Sequence, residues 1–294
     1  MDEKCAPSKS YKDGSCFSLK SLKNIAESYN LKNPTKKINI TDNKNKLVKE
    51  LENRLKNNCD DQTCWLRMDF VEAMNDEEIE KNTFRPEGPN NSKEWLSTTD
   101  INNVLSQYPE KYKSFLFLGA VPADFQELEI LGINNLDFND LINNGKNEIG
   151  MVINLDESWK SGSHWVALYA NLKKNQIYYF DSFGKKPYKR TRKFVNNILK
   201  FLYKNKYNKE LKINKILKNL KGGSHINIDD LKPFDIKYNT LQHQFSSTEC
   251  GVYSMNFIIR LIRGETFDEI TQNITKDPEM NECRDKYFRN NNNV

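Results

Sequence analysis

Histidine is scarce in this 294-residue chain, with three in all, His164, His225 and His243. Any chemistry that needs an imidazole base is confined to those positions. Long apolar runs are missing as well. The longest, around residues 115–123, is about ten residues, against the roughly 20 needed to cross a bilayer, so no membrane span is expected. The opening MDEKCAPSKS lacks the apolar centre of a signal peptide. A reducing, cytosol-like compartment is therefore expected at synthesis. Cys5, Cys16, Cys59, Cys64, Cys250 and Cys283 are then read as thiols, metal ligands or a nucleophile rather than structural disulfides. An excess of one charge is absent too: 45 basic against 40 acidic residues give +5, too balanced to announce a nucleic-acid binder by itself. The composition also excludes a disulfide mini-protein, a collagen and a coiled coil.

Asparagine is abundant, 39 residues, and lysine far outnumbers arginine, the bias that AT-rich codons produce. The length allows a sizeable buried core. Hydrophobic residues make up 37% and mean hydropathy is −0.80, so part of the chain is expected to be polar periphery around that core.

Residues 1–85 read as a small helical arm. Leu19, Leu22, Ile25 and Ala26 have helical spacing, as do Leu47, Val48, Leu51 and Leu55. A lysine-rich stretch, 33–46, separates them, and a short apolar piece, Trp65–Val71, follows. The segment NTFRPEGPNNSK, 82–93, is the expected linker. The second domain is then 86–294. In it, Ile101, Val104, Leu105 and Tyr108 predict a helix with Asp100 as its cap. Residues 114–121 are a helix end or strand, and 149–155 a strand. The runs 164–170 and 176–181 across the polar connection NLKKN predict a hairpin. An amphipathic helix is expected over 190–207, then a basic, low-order insert through LKGGSHIN, a short strand at 236–241, and an apolar helix from Cys250 to Ile262 closed by Gly264. The tail RNNNNV has nothing to bury and is expected to fray.

The chemistry follows from this layout. His164 opens one hairpin strand and Asp181 closes the other, so the two should meet at one end, where the carboxylate fixes the imidazole tautomer. Cys250 starts a helix, where N–H groups and the macrodipole favour a thiolate. Gln244, six residues upstream, offers an amide that can join the Cys250 N–H as an oxyanion donor. His243 is a weaker competitor for the base, and His225 lies in the basic insert.

The segments HWVALYANLKKNQIYYFDSFG and QFSSTECGVYSMNF resemble the His-Trp…Asp-Ser and Gln-x5-Cys-Gly-x-Tyr segments of the ubiquitin-like-protein proteases, the Ulp/SENP and adenain clan of cysteine proteases. Within it they are most similar to the branch from large DNA viruses. Trp95-Leu96 with Asp100-Ile101 is similar to that clan's Trp-Leu-Asn-Asp segment, with extra residues between. The resemblance covers roughly residues 90–263. It implies an α+β, papain-like core: a mixed sheet flanked by helices, the nucleophile at a helix N-terminus. It also implies His164 as base, Asp181 as orienting acid, Cys250 as nucleophile and Gln244 as oxyanion donor. Trp165 would roof a narrow channel, with Trp95 and Asp100 lining the same cleft. Such a channel admits residues without side chains, so the implied partner is a protein carrying Gly-Gly-X, either a viral structural polyprotein or a ubiquitin-like tail. Virion core and host cytoplasm or viral factory are the implied locations. No cofactor and no metal is implied. Of the remaining cysteines only Cys59/Cys64 approaches zinc spacing, and redox pairing of Cys5, Cys16, Cys59 and Cys64 is the other alternative to buried thiols. The lysine-rich arm leaves docking to nucleic acid or a core scaffold open. Gly222-Gly223-Ser224 is read as a loop dipeptide rather than a self-cleavage site.

Overall fold

A computed structural model describes residues 11–56, 62–65, 68–72, 74, 86–89, 91, 93–221 and 234–288. The tail RNNNNV, the segment GGSHIN with His225, and Cys5 and Cys59 lie outside the described residues. The chain divides into two compact units, 1–90 with 284–294, and 91–283. The division falls inside the Pro/Gly/Asn-rich segment 82–93. The C-terminal segment groups by packing with the first unit, whereas the expected second domain runs over 86–294. The reason is packing: Tyr287 and Phe288 are buried, and Phe288 lies against Gly88.

The first unit holds α1 (Leu19–Lys32), α2 (Lys44–Leu55) and two short helices, Gln62–Trp65 and Asp69–Glu72. Ser18 and Asn43 cap the two longer helices through their side chains. The stripes Leu22–Ile25–Ala26 and Leu47–Val48–Leu51–Leu55 meet Phe17, Ile38, Trp65 and Phe70 in one core. Cys16 packs beside it and is disulfide-bonded. For Cys16 the expectation of a thiol fails, and the alternative of pairing holds. Compartment reasoning does not see which sulfurs a fold brings within bonding distance.

The second unit is built on a five-stranded sheet in the order β1 (Phe115–Val121), β2 (Glu148–Asn154), β3 (Trp165–Asn171), β4 (Gln176–Phe180), β5 (Asp235–Tyr238). The outer pairs are parallel and the inner two antiparallel. On one face α4 (Lys189–Tyr207) lays Phe194, Ile198, Leu199, Leu202 and Tyr203 against Ile149, Met151, Val166, Leu168, Ile177 and Tyr179. On the other, the helix Cys250–Ile262 covers β3, with Phe257 stacked on Phe180 at 4.8 Å. Both faces being covered explains why every residue of β3 is buried.

Preceding the sheet, α3 is Thr98–Leu105, and it ends the Trp95–Leu96 segment. Its cap is Ser97; Asp100 is the third helical residue and closes a capping box with it. Downstream of α4, α5 (Ile213–Lys221) occupies part of the stretch expected to be a low-order insert. Its apolar Ile213, Ile216, Leu217 and Leu220 form one short stripe hidden among lysines. The helix that starts at Cys250 is α6 (Cys250–Ile262), followed by α7 (Phe267–Gln272) and α8 (Asp277–Glu282), neither anticipated from the sequence. Among the described residues no helix is long and apolar enough to cross a membrane.

Candidate active site

The β3–β4 hairpin pairs Ala167 with Phe180, so His164 and Asp181 hang from its open end, just beyond the paired residues. His164 Nε2 lies 2.7 Å from Asp181 Oδ1. Asp181 is fully buried. Its Oδ1 also accepts from the Phe183 N–H at 2.9 Å. Its backbone is bracketed by Asn239, whose Oδ1 accepts the Asp181 N–H and whose Nδ2 donates to the Asp181 carbonyl. The Phe183 ring stacks on the imidazole at 4.6 Å. Burial alone would pull the His164 pKa down. The hydrogen bond to Asp181 and the contact with the Cys250 sulfur outweigh it and raise the value from 6.5 to about 9. With Nε2 committed to Asp181, Nδ1 is the nitrogen left for the sulfur.

Cys250 is buried at the first turn of α6. The N-cap of that helix is Glu249, whose side chain does not cap it, whereas α1, α2, α3 and α7 are capped by the side chain of their N-cap residue. Gly251 follows because Leu96 crosses there. A Cβ at Gly251 would sit 3.1 Å from Leu96 Cβ and Cδ1. We expect Gly251→Val to lower stability by about 1–3 kcal/mol through overpacking and to disturb the Trp95 segment. A thermal melt should show the loss, and the added substitution Leu96→Ala should recover part of it.

Gln244 is completely buried. Its Oε1 accepts from the Ser182 hydroxyl at 2.6 Å and its Nε2 donates to the Ser246 carbonyl at 2.8 Å. One N–H of the amide remains for a developing oxyanion. The Ser182 carbonyl in turn accepts the N–H groups of His243 and Gln244. Farther out, Asp277 Oδ2 accepts the N–H groups of Phe245 and Ser246, and the Tyr253 hydroxyl reaches Asp277 Oδ1 and the Thr275 carbonyl. These bonds fix the loop before Cys250. Replacing Gln244 with alanine is expected to lower kcat on a peptide substrate by roughly 10²-fold with little change in KM; steady-state kinetics checks this.

Trp165 is buried and donates its indole N–H to the Leu96 carbonyl at 2.8 Å. It ties the Trp95–Leu96 segment to the end of β3. Trp95 is about half exposed. Asp100, expected to line the cleft, directs Oδ2 back to the N–H and hydroxyl of Ser97, which makes it a helix-capping residue. His243 is buried against Phe180 and Tyr253, with Nε2 at 3.2 Å from the Thr271 carbonyl. Burial lowers its pKa, and its ring packs in the core. Phe183, Ser182, Asn239 and Asp277 were not singled out from the sequence. The Asp-Ser pair in IYYFDSFG was the one visible signal, and it marks Ser182.

The sequence profile of the Ulp1 protease family, C-terminal catalytic domain, matches residues 146–294, half of the chain. The chain belongs to the Ulp1 protease family. This Ulp1-family chain is 34% identical to a protein of Acanthamoeba polyphaga mimivirus described as a thiol protease, over 97% of this chain and 93% of that one. It is 25% identical to a SUMO-1 cysteine protease of African swine fever virus, over 83% of this chain and 89% of that one. The crystal structure of the African swine fever virus protease superimposes with a TM-score of 0.55 at 20% identity, covering 98% of this chain and 96% of that one. The shared fold is the α+β arrangement expected from the sequence. Family membership makes the protein a cysteine protease.

Proposed function

We propose that the protein is a cysteine endopeptidase of a large DNA virus that cleaves polyprotein precursors after Gly-Gly during virion maturation, with catalysis in the unit 91–283. The observation that carries this reading is His164 held between Asp181 and Cys250. That arrangement puts a general base beside a candidate nucleophile. In the first half-reaction the Cys250 sulfur attacks the glycyl carbonyl. The oxyanion is met by the Cys250 N–H and the spare N–H of Gln244, and His164 gives its proton to the departing amine. In the second half, His164 accepts a proton from water, which attacks the thioester and releases the acid with the thiol restored. Asp181 keeps the imidazole oriented in both halves. No step calls on a metal or organic cofactor.

The glycine requirement rests on Leu96 pressed against Gly251 and on the Trp165 indole bonded to the Leu96 carbonyl at the same turn. A narrow passage there would refuse a β-carbon. Virion core and host cytoplasm, where such precursors assemble, are the proposed locations. The swine fever virus relative is named for SUMO-1, which favours a second reading: removal of ubiquitin-like proteins whose tails end in Gly-Gly. The discriminating experiment incubates the purified protein with viral precursor proteins, ubiquitin and SUMO fusions, and identifies new termini by mass spectrometry. Cuts after Gly-Gly in precursors alone are expected; cuts confined to ubiquitin-like fusions would favour the second reading, and cuts lacking glycine would overturn both.

A further inference from the structure

The near-balance of charge over the whole chain hides a strong segregation. Residues 185–221 hold 14 of the 45 basic residues and 1 of the 40 acidic ones, Glu210. The remaining chain is net negative, 31 basic against 39 acidic. The basic segment is ordered: it is α4, a short connection, and α5. In α4 the buried Thr191, Phe194, Ile198 and Leu202 face the sheet. Opposite them Lys189, Lys193, Lys200 and Lys204 fall within about 60° of one another and run about 22 Å along the helix, and all four are exposed. Lys209, Lys212, Lys215 and Lys218 extend the exposed basic surface across the connection and α5. Between the two parts lies a shallow groove of about 480 Å³ lined by Lys200, Phe201, Lys204, Glu210, Leu211 and Lys212. Lys204 reaches Glu210 at 3.2 Å. At Arg190 the surface is tied to Glu157 and Glu127.

We propose that this α4–α5 surface docks the phosphate backbone of duplex nucleic acid. A straight row of lysines matches a linear polyanion of regular charge, and a duplex carries one charge per about 1.7 Å of axis. The groove gives one strand a concave seat with three lysines on its walls. The negative remainder of the chain would turn this face toward the polyanion during approach. Contact is with backbone and not with bases: in the segment only Tyr188 and Leu217 are exposed large hydrophobics, so base stacking has little platform. The same shortage argues against an anionic membrane, because a surface-lying helix buries its apolar face in lipid, and the apolar face of α4 is already in the protein core. The surface uses none of the catalytic groups, and it gives a protease of assembled particles a way to stay on a packaged polyanion.

The test is fluorescence anisotropy of the full chain with a labelled 24-base-pair duplex of arbitrary sequence, between 50 and 300 mM salt. Binding is expected to be indifferent to sequence, with a slope of log affinity on log salt of about −4 for four to five phosphates neutralised. The variant carrying Lys189→Glu, Lys193→Glu, Lys200→Glu and Lys204→Glu should bind at least 30-fold more weakly at 100 mM salt and lose most of that slope. A control carrying Lys20→Glu, Lys32→Glu, Lys36→Glu and Lys46→Glu in the first unit should lose less than fivefold. Circular dichroism melts confirm that both variants fold. No duplex binding at 50 mM salt, or an equal or greater loss in the control, overturns the proposal. So does capture of phosphatidylserine vesicles that is lost in the α4 variant while the duplex is left unbound.

Discussion

Alanine at Cys250 is expected to bring hydrolysis of a Gly-Gly-X peptide to background, a fall in kcat/KM on the order of 10⁵ or more. The magnitude follows from what is lost. The uncatalysed alternative is direct attack by water, and the acyl-enzyme route disappears with the sulfur. The fold should survive, because Cys250 fills a small buried volume at the end of α6 and the exchange removes one atom. A loss near 1 kcal/mol would move the melting midpoint of a domain this size by only about 2–4 °C. Measured together, an unchanged circular dichroism spectrum and an absent product assign the loss to chemistry. Purified Cys250→Ala that still cleaves would sink the mechanism.

Removing His164, the proposed base, should be nearly as severe. His164→Ala is expected to lower kcat/KM by about 10³-fold or more, the upper part of the range for general acid–base groups. Its pH behaviour gives a sharper test. The imidazolium holds its proton to about pH 9, against 6.5 unperturbed, with burial opposing and Asp181 and Cys250 favouring the charge. Activity that depends on that proton for the leaving amine should fall above about pH 9. In Asp181→Ala one of the favouring partners is gone, so the alkaline limb should shift to lower pH. Stability follows the same linkage. The proton's contribution is fully present below about pH 6.5 and is lost as pH rises through about 9. Melting midpoints of the parent should therefore decline across that window more steeply than those of His164→Ala. A parent activity profile flat to pH 10, or an Asp181→Ala limb unmoved, would contradict the proposed role of the pair.

The hairpin was legible because alternating and then continuous apolar residues flank a short polar turn, and it alone brings His164 to Asp181. The start of α6 was legible because an apolar run begins abruptly at Cys250. Other parts carried no local signal. Asn239 stands 58 residues from the aspartate it brackets, and Asp277 stands 31 residues from the loop it holds. Nothing in their own neighbourhoods distinguishes them from surface polar residues. Asp100 carried two readings at once. An acid at a helix start serves a cap as readily as a cleft, and Ser97, three residues earlier, decides for the cap. The order in α5 was masked by lysines, whose long stems leave a four-residue apolar stripe hard to see. Cys16 shows the remaining limit, since pairing is set by distance in the fold and not by spacing in the chain.

The four residues Asp181–Gly184 join what chemistry would treat as separate devices. Asp181 and the Phe183 ring hold the imidazole, while the Ser182 hydroxyl and carbonyl hold Gln244. Gly184 closes the turn at φ 70°, where a Cβ would meet the Thr240 carbonyl at 2.8 Å. The groups proposed to handle the proton and those proposed to stabilise charge therefore share one mechanical mount. Substitutions at Ser182 and Phe183 should behave epistatically with both Gln244 and His164. An engineer who wishes to retune one half will have to rebuild the other with it.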